Sequence, residues 1–235
     1  EVSTVEHLMA ALAGVGVHNA LIEIDGPEVP ILDGSAMPFV GAFLRAGLTA
    51  LSAPVRVLRV LEPVEVAEGD AVARLVPAEA FELSFAIDFA DRAIGVQALS
   101  LDMSNGAFVR ELCDSRTFCR AADVAAMQAA GLARGGSLEN AVVVDDARVL
   151  TPGGLRHPDE PVRHKMLDAL GDLALAGAPI LGRYEGERAG HALTNRLLRA
   201  LFARPGAARF ETCPPDAVRR LPGSGLNLED LRAVA

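Results

Sequence analysis

Apolar residues fill positions 8–13 without a break, as Leu-Met-Ala-Ala-Leu-Ala. Ser3-Thr4-Val5-Glu6 in front of them matches the Ser-x-x-Glu capping box, and Gly14 behind them supplies a stop. The segment predicts a helix, and one apolar nearly all round predicts a buried helix. Residues 19–25 read as a strand with Ile22 and Ile24 on one face. Pro27, Pro30 and Asp33-Gly34-Ser35 punctuate the next loop, and residues 36–46 form a second helix candidate. The helical pattern ends around residues 51–54, where a domain boundary is expected.

Alternation then takes over. Residues 55–66, 71–76 and 82–89 predict strands, with Leu83, Phe85, Ile87 and Phe89 sharing one face. Residues 108–113 predict a short helix, 123–130 a helix closed by Gly131, and 141–145 with 147–150 a hairpin or bent strand pair. Pro161 opens a strong helix that runs to Gly177. A strand at 180–185 and a last helix at 191–203 follow. Strands and helices come in blocks, which predicts an α+β fold over a doubly wound sheet. Residues 1–50 are read as the remainder of a first α+β domain, 54–213 as a second, and 214–235 as a peripheral tail.

Composition narrows the class. Hydrophobic residues make up 51% of the 235, ample for a core. The net charge of −9 argues against a general binder of nucleic-acid backbone, though it leaves room for a local basic pocket. Cys113, Cys119 and Cys213 lack a Cys-x-x-Cys spacing and read as free thiols of a cytoplasmic protein. No apolar run nears the ~20 residues of a membrane span, and no secretory leader is visible. The chain starts at Glu1, just before a helix, and is read as a piece of a longer protein.

Candidate chemistry centres on the strong helix. His164 and Asp168 are four apart and share a face, with Asp172 one turn further. An imidazole and a carboxylate so spaced can bind one zinc, but they also suit a solvated face. A catalytic site needs a third ligand, for which His7 is the candidate, and Glu6 can then serve as base to the water. Position 11 is Ala, so no His-Glu-x-x-His motif is present and the ligands must converge from distant segments. The plainer alternatives are that Glu6 caps the helix and His7 is a hydrogen-bonded core histidine. His191 either starts the last helix or donates a proton, oriented by Asp172. Thr117 either sits in a turn or stabilises an oxyanion. Gly135-Gly136-Ser137 either cradles phosphate or turns the chain. His18 and His157 read as surface residues.

Six blocks in order carry a resemblance: VSTVEHLMAALAGVG, PEVPILDGSAMPFV, SRTF, GGSLENAVVVDD, RHKMLDALGDLALAG and AGHALTNRLLRAL. Over residues 2–199 the chain resembles the zinc-dependent UDP-3-O-acyl-N-acetylglucosamine deacetylases of lipid A biosynthesis. The resemblance implies hydrolysis of an N-acetyl group on UDP-3-O-(3-hydroxyacyl)-N-acetylglucosamine, giving acetate and a free amine. It implies Zn2+ held by His7, His164 and Asp168, with Glu6 as general base. His191 would stabilise the oxyanion and protonate the leaving amine, Asp172 would orient it, and Thr117 would contact the tetrahedral intermediate. Lys165 would touch substrate beside the metal. The implied fold has two domains of helices layered on sheets, with the site between them; here the first is N-terminally incomplete. An inserted βαβ segment, at about residues 120–150, would form an apolar passage for the acyl chain. Phe118 would lie at its mouth, and Val124, Met127, Leu132, Leu138, Ala141 and Val143 would suit its walls. Gly136, Ser137 and Leu138 are taken as substrate contacts. Cys119-Arg120 stands where many members have Gly-Phe. A monomer is expected. A zinc deacetylase of another N-acyl sugar and an inactive fragment or binding module that keeps the fold are the alternatives.

Overall fold

The computed structural model describes residues 1–129, 135–226 and 230. In chain order the elements are α1 (Glu6–Gly14), α2 (Met37–Ala46), β1 (Arg56–Val60), β2 (Val64–Glu68), β3 (Ala71–Val76), β4 (Phe81–Asp88) and β5 (Val96–Asp102). A π-helical turn at Phe108–Leu112 precedes β6 (Phe118–Arg120), α3 (Ala121–Ala129), β7 (Val142–Asp145) and β8 (Arg148–Val149). Then come α4 (Glu160–Ala174), β9 (Ile180–Glu187), α5 (His191–Ala203) and β10 (Ala208–Thr212). This is an α+β arrangement.

β9 is the hub of a seven-stranded mixed sheet. β3 lies antiparallel to it, from Val72 opposite Glu187 to Val76 opposite Arg183, and β4 lies parallel on its other side. β1 meets its start in parallel, with Leu58 opposite Ile180. β10, β2 and β5 add antiparallel to β1, β3 and β4 respectively. Alternation in β4 buries Phe81, Leu83, Phe85 and Ile87 on one face, as the period-two pattern requires. α4 packs over β4 and β5, and α1 and α5 pack against α4. Met166, Leu167, Leu170 and Leu173 of α4 are almost fully buried, each contributing about 1.5–3 kcal/mol. A separate three-stranded sheet pairs β6 in parallel with β7 and β7 antiparallel with β8, so β6, α3 and β7 form a βαβ unit.

Several expectations fail locally. The capping box does not form: Val5 precedes α1, with no side-chain cap. Ser3 instead bridges to Glu28, its hydroxyl donating to the Pro27 carbonyl at 3.2 Å, and Thr4 Oγ1 donates to Glu28 Oε1 at 2.6 Å. Partners 24 residues away have taken the hydroxyls that the local motif would use. Residues 19–25 form no strand; Leu21 is 88% exposed, with Ile22 and Ile24 also exposed. Alternation yields a strand only where a neighbour satisfies its backbone, and no described strand lies alongside. The expected strand at 55–66 is two, β1 and β2. Pro63, which has no N–H to give a ladder, lies between them, and they join different parts of the sheet.

β5 and β10 were not foreseen, and β6 only as the first strand of the βαβ segment that the resemblance implies. β5 and β10 are edge strands that need only a partial apolar face, which weakens their signal. After Pro214, Ala217 and Leu221 bury against Val57 and Leu181, and Gly223 sits so close to the backbone of Val15 and Gly16 that no Cβ would fit. The helix stop expected at Gly131, Leu132 and the Met127 side chain lie outside the described residues.

Candidate metal centre

The site begins with a missing side chain. Gly171 lies in α4, and a Cβ there would stand 3.0 Å from Glu6 Cα and 2.8 Å from its carbonyl carbon, with the carbonyl oxygen closer still. Only glycine lets the start of α1 seat so deeply on α4. His164, Asp168 and Gly171 follow i, i+4, i+7 spacing along one stripe of α4. The first turn of α1 is thereby set beside the two donors on α4.

His7, His164 and Asp168 are all buried, and their donor atoms lie within 4.8 Å of one another. Asp168 Oδ1 is 3.2 Å from His164 Nε2 and 3.7 Å from His7 Nε2. The two imidazoles meet edge to face with centroids 5.0 Å apart. Two donors each about 2.1 Å from one tetrahedral ion lie roughly 3.4 Å apart, so the spacing fits a single ion. His7 Nδ1 is buried and has no hydrogen-bond partner among the described residues. His164 Nδ1 lies 3.0 Å from the Ser115 carbonyl, which can only accept, so Nδ1 carries the proton and Nε2 offers its lone pair.

Charge is arranged to match. Burial, reinforced by the neighbouring His164, lowers His7 to about 4, so it is neutral and ligand-ready at neutral pH. Burial alone would raise Asp168, but His164 and Lys165 outweigh it and hold the carboxyl well below its ordinary value. Lys165 Nζ donates to Asp168 Oδ2 at 2.7 Å, and this pairing outweighs burial to raise the ammonium's pKa. His191, half-exposed at the start of α5, places Nδ1 2.9 Å from Asp172 Oδ2 and Nε2 3.8 Å from Asp168 Oδ2. The hydrogen bond to Asp172 lifts His191 to about 8 against the opposing effect of burial.

Around this centre, Thr117 is held at both backbone groups. Its N–H donates to the Gly34 carbonyl and its carbonyl accepts from Val142 N–H, both at 2.7 Å. The Phe118 ring lies edge-on to His164 at 6.4 Å and to Phe89 at 5.4 Å. A cavity of about 90 Å³ opens between Phe89 and Lys165, bounded also by Ile87 and Arg188. A larger hollow, about 520 Å³, lies along α5 beside Leu198 and Phe202 and involves none of these groups. The Glu6 carboxylate makes no hydrogen bond or ion pair with any described residue, though its charge is felt at Lys165.

The structure therefore brings together Glu6, His7, His164, Lys165, Asp168, Asp172 and His191, with Phe118 beside them. It does not draw Gly136, Ser137 and Leu138 into contact with the three donors. They lie on an exposed turn closed by Asn140, whose side chain accepts from Ser137 N–H at 2.8 Å and donates to the Gly135 carbonyl at 2.9 Å. Of the two histidines read as surface residues, His18 is exposed, whereas His157 is partly buried against Asp114 at 2.9 Å. Two features escaped sequence reasoning: the Ser115 carbonyl that orients His164, and a buried Arg116–Glu160 ion pair behind it. The neighbouring Thr117 marked the right segment, but a backbone acceptor leaves no trace in residue type.

A buried His–His–Asp donor set beside a carboxylate and a histidine–aspartate pair is the layout of a mononuclear metallohydrolase. Residues 1–203 match the family model of UDP-3-O-acyl N-acetylglycosamine deacetylase, and the chain belongs to that family. It is similar to the UDP-3-O-acyl-N-acetylglucosamine deacetylase of Phenylobacterium zucineum, with 58% identity over 92% of this chain and 73% of the relative. Those of an Anaeromyxobacter species and Myxococcus xanthus are 50% and 47% identical, over 92% and 98% of this chain and 71% and 72% of theirs. No described helix is long and apolar enough to cross a membrane.

Proposed function

We propose that the chain is a zinc-dependent deacetylase acting on UDP-3-O-(3-hydroxyacyl)-N-acetylglucosamine. It hydrolyses the N-acetyl amide to acetate and a free amine, the committed step of lipid A biosynthesis. The observation that carries this reading is the convergence of His7, His164 and Asp168 next to the His191–Asp172 pair. Two imidazoles and one carboxylate are a donor set that would hold zinc. Held there, zinc would supply polarisation of the amide carbonyl and a lower pKa for water.

The chain's own residues do the rest. Glu6, free of any capping duty, takes the proton from the attacking water. His191, kept protonated by Asp172 to about pH 8, donates to the departing amine, which is a poor leaving group until protonated. The Thr117 hydroxyl and the His191 N–H steady the negative charge that develops on the carbonyl oxygen. Lys165, its charge held by Asp168, contacts substrate beside the metal. Phe118 marks the mouth of an acyl passage along residues 120–150, with Val124 and Val143 on its wall and Gly136, Ser137 and Leu138 on the adjoining turn. The division into domains at 1–50 and 54–213 belongs to the same reading, as does a cytoplasmic location, where UDP-sugars are made.

Metal analysis joined to an acetate-release assay tests the proposal. One zinc per chain is expected, with turnover that needs both zinc and the 3-O-acyl chain. Glu6→Ala should keep the zinc and lose turnover by about 10²–10⁴-fold. Wild-type turnover by Glu6→Ala, or by a chelator-stripped chain, would defeat it.

A further inference from the structure

We propose that Arg116 and Glu160 are positioning residues for the metal centre, clamping the 115–117 segment onto the helix that carries His164 and Asp168. The proposal rests on the zinc reading above. Glu160 opens α4 and is fully buried, and Arg116 is nearly so. Arg116 gives Glu160 three hydrogen bonds: backbone N–H to Oε1 at 2.9 Å, Nε to Oε1 at 2.9 Å and Nη2 to Oε2 at 3.1 Å. The same guanidinium donates to the Gly154 carbonyl at 2.7 Å, and Arg156 N–H donates to Glu160 Oε2 at 2.7 Å. Every oxygen of the buried carboxylate is used.

The position of this pair in the chain gives it its role. Glu160 stands one helical turn before His164 on the same helix. Arg116 stands between Ser115, whose carbonyl accepts from His164 Nδ1, and Thr117, to which the proposed mechanism gives a role at the reacting carbonyl. A closed ring results: Glu160 to His164 along α4, His164 to Ser115 by hydrogen bond, and Arg116 back to Glu160 by ion pair. Were the segment free to shift, the Ser115 carbonyl would leave Nδ1, and nothing else described would hold the tautomer that points Nε2 at Asp168. A buried ion pair contributes little net stability against an apolar replacement, so stability alone is a weak reason for one here. The fork of Arg116 and the fixed length of Glu160 set the 115–117 backbone in one place.

The test is the zinc dissociation constant of the full chain, measured by competition with a chelating dye, beside the melting curve of the chelator-stripped protein. Glu160→Gln keeps the size and an acceptor for the Arg116 N–H but removes the charge and the two-oxygen fork. Its zinc Kd should rise roughly 10–100-fold while the stripped protein still folds. Arg116→Lys keeps the charge and loses the fork, and its Kd should move in the same direction; it carries the measurement if Glu160→Gln does not fold. Arg163→Gln is the control. It breaks ion pairs from α4 to Asp159 and Glu111 that touch neither Ser115 nor His164, and its Kd should match the wild type. A wild-type Kd in folded Glu160→Gln or Arg116→Lys overturns the proposal. So does an equal loss in Arg163→Gln, which would make the effect a general loosening of the helix. A wild-type chain that binds no zinc fails the zinc reading, and this proposal with it.

Discussion

Replacing Gly171 with Ala places one methyl group where α1 meets α4. The new carbon would lie 3.0 Å from Glu6 Cα and 2.8 Å from its carbonyl carbon. Carbon atoms in good contact sit about 3.5–4.0 Å apart, so the helices must part by roughly 1 Å. Backbone cannot swing aside as a side-chain tip can. Overpacking of this kind costs about 1–3 kcal/mol. Alanine's better helix propensity returns about 1 kcal/mol. The net loss should be up to about 2 kcal/mol, which for a chain of this size lowers Tm by up to roughly 8 °C. The site should suffer more than the fold. His7 rides on α1 with its Nε2 3.7 Å from Asp168 Oδ1, and zinc distances tolerate only about 0.2 Å. Zinc Kd should therefore rise at least about tenfold, the scale on which misplaced orienting groups act. Thermal melts of the stripped chain and chelator competition measure both effects. A Gly171→Ala chain with wild-type Tm and wild-type Kd would refute the claim that this glycine sets the spacing of the donors.

His7→Ala should abolish stoichiometric zinc retention through a desalting column while leaving the sheet intact by circular dichroism; full retention would remove His7 from the donor set. Asp172→Asn should lower the alkaline limit of kcat/KM from about 8 towards 6.5, since the hydrogen bond from His191 to Asp172 is the main cause of the raised value. An unmoved limb would show that His191 is not the acid. The metal-free chain should weaken as pH falls below 6.5. His7 is lowered to about 4 in the fold, so between these values the unfolded chain holds more protons and stability rises with pH. The contribution is complete above 6.5 and is lost as the pH falls through 4, by about 1.4 kcal/mol for each pH unit crossed. Urea midpoints at pH 7 and 5 would show it, and a His7→Asn variant with the same slope as the wild type would contradict it.

The strong periodic segments were legible because each carries its own signal. Pro161 at the start of α4, the apolar run of α1 and the alternation of β4 needed no partner to be read. The same holds for the pairing of His164 with Asp168, which is a matter of helix spacing alone. Residues 19–25 and the Ser-x-x-Glu box show the limit of that reading. In both the local pattern was present, but residues 19–25 have no described strand alongside, and the Ser3 and Thr4 hydroxyls found partners 24 residues away. The capping box failed because Ser3 and Thr4 turned to Pro27 and Glu28, which leaves the Glu6 carboxylate without a capping role.

What the sequence determined by itself was therefore the inventory: an α+β chain, two acid–histidine motifs with one more histidine on a buried helix, and six ordered blocks that declare a family. Periodicity and residue chemistry are local, so they survive without a structure. What tertiary structure decided was convergence. Gly171 had to be empty for α1 to reach α4, and a Ser115 carbonyl had to arrive from another segment to fix the His164 tautomer. Burial then had to strip His7 of its proton while Asp172 kept one on His191. Each depends on distances between residues far apart in the chain, and those distances come from packing.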